Sequence, residues 1–311
     1  MTRAALCPDL LFDGETLRPG MAVTVENGLV TAVTKASPGE GRALPGLLAP
    51  GFVDLQVNGG GGRMVAGDCD FAALTTICAA HRRLGTAGLL PTLITDTSDA
   101  TAAVIAAGLA AARAQVPGFL GLHLEGPHLD PRRHGAHDPA LIRPMGAEDL
   151  ARLCDAARAL PALVLTVAPE AVRPDQIAAL VSAGAVVSLG HSDCSFEVAQ
   201  TALAAGARMV THLFNAMSPL GHRAPGLPGA ALTSDAALGL IADGLHVHPA
   251  VLALVLAARP AGVFLVSDAM ACAGTDATEF SLGGRRILRQ GGRLDISHPE
   301  VLAMAERAAR D

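Results

Sequence analysis

Leu122-His123-Leu124-Glu125-Gly126-Pro127-His128-Leu129-Asp130 is the stretch on which the fold turns. An apolar run ends in a carboxylate and is interrupted by Gly-Pro. A long segment without a period follows, until Ala147-Glu148-Asp149-Leu150 opens a helix. A strand that delivers Glu at its carboxyl end into a long loop is how a (β/α)8 barrel presents a metal ligand. Taken alone, the stretch reads more readily as a strand edge with a solvated Glu. Working outward, two later apolar runs end in His, at Val187-Ser188-Leu189-Gly190-His191 and Val210-Thr211-His212. Another ends in Asp, at Leu265-Val266-Ser267-Asp268.

From Pro50 onward the pattern is strand, loop, helix, repeated. Strands are predicted at Gly51–Val57, Leu89–Thr95, Phe119–Glu125, Leu163–Ala168, Val186–Gly190, Met209–Leu213, Leu238–Ala242 and Val263–Ser267. Helices are predicted near 71–84, 99–115, 147–159, 174–183, 195–205, 228–236 and 249–258. Near-continuous apolar strands alternating with helices imply a parallel sheet buried on both faces, and eight such strands close a barrel. An open doubly wound sheet is the competing architecture. Asn58-Gly59-Gly60-Gly61-Gly62, after the first strand, fits neither GxGxxG nor a P-loop, which favours the barrel. Residues 1–48 read instead as part of a small β module, with Asn27-Gly28 between two β-prone runs as a hairpin signal. The expected division is 1–48 for this module, 49–275 for the barrel, 276–293 for a return segment of the small β domain and 294–311 for a C-terminal helix.

Composition narrows the function classes. A net charge of -6 over 311 residues, with no run of Lys or Arg, argues against nucleic acid as a partner. Cysteines at 7, 69, 78, 154, 194 and 272 lack CxxC or framework spacing and read as reduced thiols of a cytoplasmic protein. Asp9 and Asp13 near the start, with no basic-then-apolar pattern, do not read as a signal peptide. Mean hydropathy is +0.40, yet no apolar run approaches the roughly 18 residues of a membrane span. The excess comes from Ala-rich segments such as Thr101 to Ala114, better read as packed helices. Trp and Tyr are absent, so any sugar contact relies on other side chains.

In a barrel, Glu125, His191, His212 and Asp268 end strands three, five, six and eight and point into one mouth. A single His is more often packed or solvated than a ligand. One Glu and two His converging with an Asp is harder to explain structurally, because buried charges need partners or a metal. Glu125, His191 and His212 would leave an open position on a divalent ion, as catalytic zinc sites do. Asp268 is then the natural general base and acid. Such an ion lowers the pKa of a coordinated water toward roughly 7, and a positioned base contributes about 10²–10⁴-fold in rate.

These residues carry a family resemblance. Pro50-Gly-Phe-Val-Asp-Leu-Gln-Val-Asn-Gly-Gly, His123-Leu-Glu-Gly-Pro, Gly190-His-Ser, Thr211-His-Leu-Phe-Asn-Ala-Met, Ile241-Ala-Asp-Gly-Leu-His-Val and Leu265-Val-Ser-Asp-Ala resemble, in order, the motif set of the N-acetylglucosamine-6-phosphate deacetylase family. That family belongs to the amidohydrolase superfamily. The resemblance implies metal-dependent release of acetate from the 2-acetamido group, leaving glucosamine 6-phosphate, by a cytoplasmic homodimer. It implies Glu125, His191 and His212 as metal ligands and Asp268 as acid/base. It also implies Ala136-His137 as a substrate-binding pair whose His polarises the acetamide carbonyl. Asn215-Ala216 would hold the sugar, Arg223 would bind the phosphate through a bidentate guanidinium, and His246 would add a further sugar-phosphate contact. His137 and Arg223 have the plainer reading of solvated loop residues. His222, His248, Cys194 and Cys272 match no role.

Two features depart from the wider pattern. Where many amidohydrolases carry His-x-His for a second metal, this chain has Gln56-Val57-Asn58, and neutral amides are poor ligands. One ion per chain is therefore expected, zinc first, with iron, cobalt or manganese also compatible with the donor set. Leu163–Pro169 holds no Lys for a bridging carboxylate, which counts against dihydroorotase-like and hydantoinase-like readings. At the other end, Phe280–Arg289 resembles a piece of the small β domain, whereas the small-residue run that would add a substrate contact is not recognisable. The expectation is a tail shorter than the family's, with another single-metal amidohydrolase or a non-catalytic metal- or sugar-phosphate-binding barrel as alternatives.

Overall fold

A computed structural model describes residues 2–296 apart from 283, 291 and 292, and the chain divides into two compact units at Phe52/Val53. In the first, β1 (Arg3–Phe12), β2 (Leu17–Pro19), β3 (Met21–Glu26), β4 (Leu29–Lys35) and β5 (Arg42–Leu48) form one sheet. Its order is β2-β1-β3-β4, with β5 parallel to β1. The Asn27-Gly28 hairpin forms with both residues at positive φ, 51° and 84°, as the tight turn matching strand twist requires. Leu11, Met21 and Val23 make a small buried cluster within this unit.

The second unit is the barrel. Its strands are β6 (Phe52–Val57), β9 (Thr86–Ile94), β10 (Leu122–Glu125), β11 (Leu163–Val167), β12 (Val186–Leu189), β13 (Met209–Val210), β14 (Ala237–Leu240) and β15 (Val263–Leu265). The short pair β7 (Gly59–Gly60) and β8 (Arg63–Met64) follows the first strand. The eight strands neighbour one another in chain order. A parallel bridge between Val57 and Ala269, with the Asp268 amide donating to the Gln56 carbonyl at 3.0 Å, ties the last strand to the first. Fully buried runs such as Leu163-Val-Leu-Thr-Val167 show why the strands read as continuous apolar segments.

Helices α1 (Phe71–Arg83), α2 (Ser98–Arg113), α3 (Ala147–Ala159), α4 (Pro174–Ser182), α5 (Phe196–Ala204), α6 (Gly226–Leu232) and α7 (Pro249–Ala258) alternate with the strands. In α2, Ala100, Val104, Ala107, Gly108 and Ala111 bury one face at three- and four-residue spacing. A Cβ on Gly108 would meet Leu122 at 2.6 Å, so the missing side chain lets the helix lie directly on β10. The Thr97 side chain accepts from the Ala100 amide and caps the helix, a contact worth about 1 kcal/mol. No helix among the described residues is long and apolar enough to cross a membrane.

Several observed strands stop earlier than expected. The sixth ends at Val210 rather than Leu213, and the eighth at Leu265 rather than Ser267. Helix α6 spans Gly226–Leu232 rather than 228–236. Residues of the 276–293 return segment pair among themselves: β16 (Glu279–Leu282), β17 (Arg285–Gln290) and β18 (Arg293–Ile296) form a separate three-stranded antiparallel sheet. The helix expected over 294–311 therefore begins in strand, because Arg293-Leu-Asp-Ile296 alternates with the period of two that suits pairing. The rest of that segment lies outside the described residues.

Candidate metal centre and active site

Glu125 closes β10, while His191 and His212 each lie two residues past a strand end. His191, His212 and Asp268 all adopt left-handed backbone, with φ of 48°, 28° and 51°. That conformation ends each ladder and turns the chain at the functional residue. Glu125, His191 and His212 are buried, 2%, 3% and 4% exposed. Their ligating atoms form a near-equilateral triangle. Glu125 Oε1 is 3.2 Å from His191 Nε2 and 3.1 Å from His212 Nε2, and the two nitrogens are 3.1 Å apart.

The donor chemistry fits a cation. His191 Nδ1 lies 2.8 Å from the Arg133 carbonyl, which can only accept, so Nδ1 carries the proton and Nε2 presents a lone pair. A lone pair facing a carboxylate and a second imidazole nitrogen is repulsive unless a positive charge sits among them. The edges are close to the roughly 3.3 Å of a tetrahedral face built from 2.0–2.1 Å metal–ligand bonds. Among the described residues, Glu125, His191 and His212 are the group able to hold a metal ion.

Gln56 and Asn58 act as donors rather than ligands. The Gln56 amide donates to Glu125 Oε1 at 3.1 Å, and the Asn58 amide to Asp268 Oδ1 at 2.6 Å. Gln56 lies in β6 and Asn58 one residue past its end, two positions on, so both turn to the side of the carboxylates they serve. The Gln-x-Asn spacing was visible in the sequence; which carboxylate each amide serves was not, because that depends on strands far apart in the chain.

Charge follows from these contacts. Burial opposes the Glu125 anion, but the surrounding imidazoles of His137, His191 and His212 outweigh it and hold the carboxyl well below its ordinary range. Burial, then the neighbouring His137, pulls His191 down to about 4. His212 moves the other way: burial is overcome by Glu125 and the group is raised. The Asp268 carboxyl is pushed up to about 6 by desolvation and by the Glu125 charge, against His212 and the Asn58 amide.

Further buried polar side chains pack behind the three residues. His123 is fully buried, with Nδ1 3.0 Å from the Leu55 carbonyl and Nε2 2.7 Å from Thr166 Oγ1. Thr166 continues to Thr211 and Thr211 to Ser188, each at 2.6 Å. Since Leu55 O can only accept, the hydroxyls must all donate in one direction, from Ser188 towards His123. His137 is buried, with Nε2 3.6 Å from Glu125 Oε2 and its ring 4.3 Å from that of His191. The loop that delivers it is pinned by Arg133, whose guanidinium meets Asp193 Oδ1 at 2.6 Å.

The remaining sequence-selected residues are more dispersed. The Asn215 amide donates to the carbonyls of His212 and Leu213, at 3.2 and 3.4 Å, and Ala216 has φ 48° in the same turn. The Ala136 carbonyl accepts from Arg285. Arg223 is exposed and lines a groove of about 340 Å³ with Asp193, Glu197 and Ser218. His246 is exposed, paired with Asp243 at 2.7 Å, and lines a separate apolar groove with Phe214, Val251 and Leu254.

No protein-family model matches the chain. It is 40% identical over 286 residues to the N-acetylgalactosamine-6-phosphate deacetylase of Shewanella sp., covering 89% of this chain and 72% of that one. It is 31% identical over 307 residues to the N-acetylglucosamine-6-phosphate deacetylase of Bacillus subtilis, covering 94% and 77%. The chain belongs to the N-acetylglucosamine-6-phosphate deacetylase family. The solved N-acetylglucosamine-6-phosphate deacetylase of Pasteurella multocida superposes with a TM-score of 0.89 at 32% identity, over 95% of this chain and 79% of that one. The chain spans 62% of the length of the Rattus norvegicus member. Deacetylases of this family are metal-dependent amide hydrolases of the amidohydrolase superfamily, which agrees with a buried Glu-His-His triangle beside a carboxylate of raised pKa.

Proposed function

We propose that the chain hydrolyses the acetamide of N-acetylglucosamine 6-phosphate, giving glucosamine 6-phosphate and acetate. The observation that carries this reading is the Glu125–His191–His212 triangle, with Asp268 held beside it by Asn58. Those three residues would hold one divalent ion, zinc first among metals that accept this donor set. When bound, the ion supplies Lewis acidity toward the acetamide carbonyl and makes water nucleophilic near neutral pH.

The chain's own groups do the rest. Asn58 occupies Asp268 Oδ1, so Oδ2 takes the proton of the attacking water and returns it to the departing amine nitrogen. His137 stands over Glu125 and donates to the carbonyl oxygen. Asn215 and the backbone at Ala136 and Ala216 hold the sugar, and Arg223 with His246 serves the phosphate end. A cytoplasmic homodimer belongs to the same reading.

N-acetylgalactosamine 6-phosphate is a second substrate reading, favoured by the 40% identity to the Shewanella deacetylase. The two differ at one hydroxyl, far from the groups that perform the chemistry. The test is acetate release from both sugar phosphates, and from unphosphorylated N-acetylglucosamine, by zinc-reconstituted protein. A kcat/KM higher for the phosphorylated sugars supports the reading, and the ratio between the two epimers chooses the substrate. No acetate from either would reject it.

A further inference from the structure

His137 and His191 are neighbouring buried imidazoles, yet the backbone treats them oppositely. His191 Nδ1 faces a carbonyl, whereas His137 Nδ1 faces Thr95. The Thr95 backbone amide donates to His137 Nδ1 at 3.1 Å, and Thr95 Oγ1 lies 2.7 Å from the same nitrogen. A backbone N–H can only donate, so Nδ1 is an acceptor and the proton of the neutral ring is on Nε2.

Nε2 in turn has no close partner among the described residues. Glu125 Oε2, at 3.6 Å, is too far for a good hydrogen bond. A nitrogen that bears hydrogen cannot also coordinate a metal. His137 is thereby kept out of the ligand set although its ring lies 4.3 Å from a ligand's. Thr95 is itself 6% exposed and sits one residue past β9. A Cβ at position 126 would lie 2.2 Å from Thr95 Oγ1, so Gly126, at φ +87°, leaves the hydroxyl the room to reach the imidazole.

We propose that Thr95 is the positioning residue for His137: its amide and hydroxyl together hold the ring as the Nε2–H tautomer and aim that proton at the substrate's carbonyl oxygen. The role of the proton in turnover rests on the deacetylase reading; the tautomer does not. Thr95 acts through the ring it holds.

The test uses the full chain loaded with zinc. Long-range ¹H–¹⁵N spectra of ¹⁵N-histidine-labelled protein report which nitrogen of His137 is protonated, with a His137→Gln variant assigning the signal. The expected spectrum shows the ring protonated at Nε2 and not at Nδ1. Thr95→Val keeps the amide and shape but deletes the hydroxyl. It is expected to retain zinc, to broaden or shift the His137 ring signals, and to lower kcat roughly 10–100-fold, as loss of an outer-shell partner does. KM should move much less, and Thr95→Ser should restore kcat to within about threefold of the parent. A parent ring protonated at Nδ1, a valine variant with unchanged kcat, or a serine variant as poor as valine would each overturn the proposal. Should the valine variant fail to fold, the parent spectrum and the serine variant still decide. Absence of acetate release from every amino sugar phosphate would reject the deacetylase reading, while the spectra would still settle the tautomer.

Discussion

The two ends of the proposed substrate site are built differently. At the metal end, Glu125, His191 and His212 are almost wholly buried and tied to Gln56 and the Arg133 carbonyl. At the rim, Arg223 and His246 are exposed, and His246 pairs with Asp243 on its own turn. Groups that must stabilise developing charge gain from being fixed in advance, since no reorganisation is then needed as reaction occurs. Groups that capture a charged substrate can be ordered on binding, at a cost of about 0.5–1.5 kcal/mol per side chain. Rate and affinity should therefore separate along this axis.

The strongest way to break that comparison is to remove a ligand. His212→Ala or His191→Ala should abolish tight metal binding and lower turnover by roughly 10³-fold or more, the equivalent of several kcal/mol of transition-state stabilisation. Elemental analysis of the parent should give one tightly held ion per chain. Two would mean that Gln56 and Asn58 do not exclude a second.

Next comes Asp268→Asn. It should keep its metal yet lose about 10²–10⁴-fold in kcat with little change in KM. The parent should also show an acidic limb in its kcat profile. A raised carboxyl is protonated, and useless as a base, once pH falls below its pKa of about 6. A bound cation favours the carboxylate and moves that limb lower still. A limb well above about 6 would belong to another group.

At the rim, Arg223→Ala should act mainly on affinity. KM for the phosphorylated sugar should rise about tenfold, the scale of one charge-assisted hydrogen bond. The preference over free N-acetylglucosamine should narrow. An unchanged kcat/KM ratio between the two would remove Arg223 from the site.

The smallest effect belongs to a control that touches neither end. Arg143 pairs with Asp149 through Nη2 and Oδ1 at 2.7 Å, and the Asp149 side chain also accepts from the Gly146 amide at the start of α3. The guanidinium holds the Asp149 carboxyl down to about 2. A lowered folded-state pKa stabilises at pH values above the unfolded one, and that contribution is lost as pH falls through about 4 towards 2. Asp149→Asn should cost about 1 kcal/mol in thermal unfolding near neutral pH, with the gap to the parent closing in acid and KM unchanged.

Much of this was legible in the sequence because barrel strands are buried on both faces and announce themselves as apolar runs. Glu125, His191, His212 and Asp268 stood out as polar residues at the ends of such runs. What escaped was whatever depends on atoms meeting between strands: the service of Gln56 to Glu125 and of Asn58 to Asp268, and the grip of Thr95 on His137. Strand ends were misplaced for a related reason. Thr211-His212-Leu213 continues an apolar pattern, but His212 at φ 28° and Phe214 at φ 76° leave the ladder. Hydropathy does not register backbone handedness. For the return segment, alternation predicts pairing without naming the partner strand, and β16, β17 and β18 pair with one another.

That handedness bears on how the enzyme can be improved. His191, His212 and Asp268 occupy left-handed backbone that glycine adopts without steric cost, whereas His and Asp, though more tolerant of it than most side chains, still bear a penalty of up to roughly 1–2 kcal/mol. The mouth of the barrel is thus a place where the sturdiest sequence and the working sequence diverge. A library ranked on melting temperature alone would drift towards glycine at these three positions and return durable, inert barrels. Selection for robustness has to hold them constant and look for its gains elsewhere in the chain.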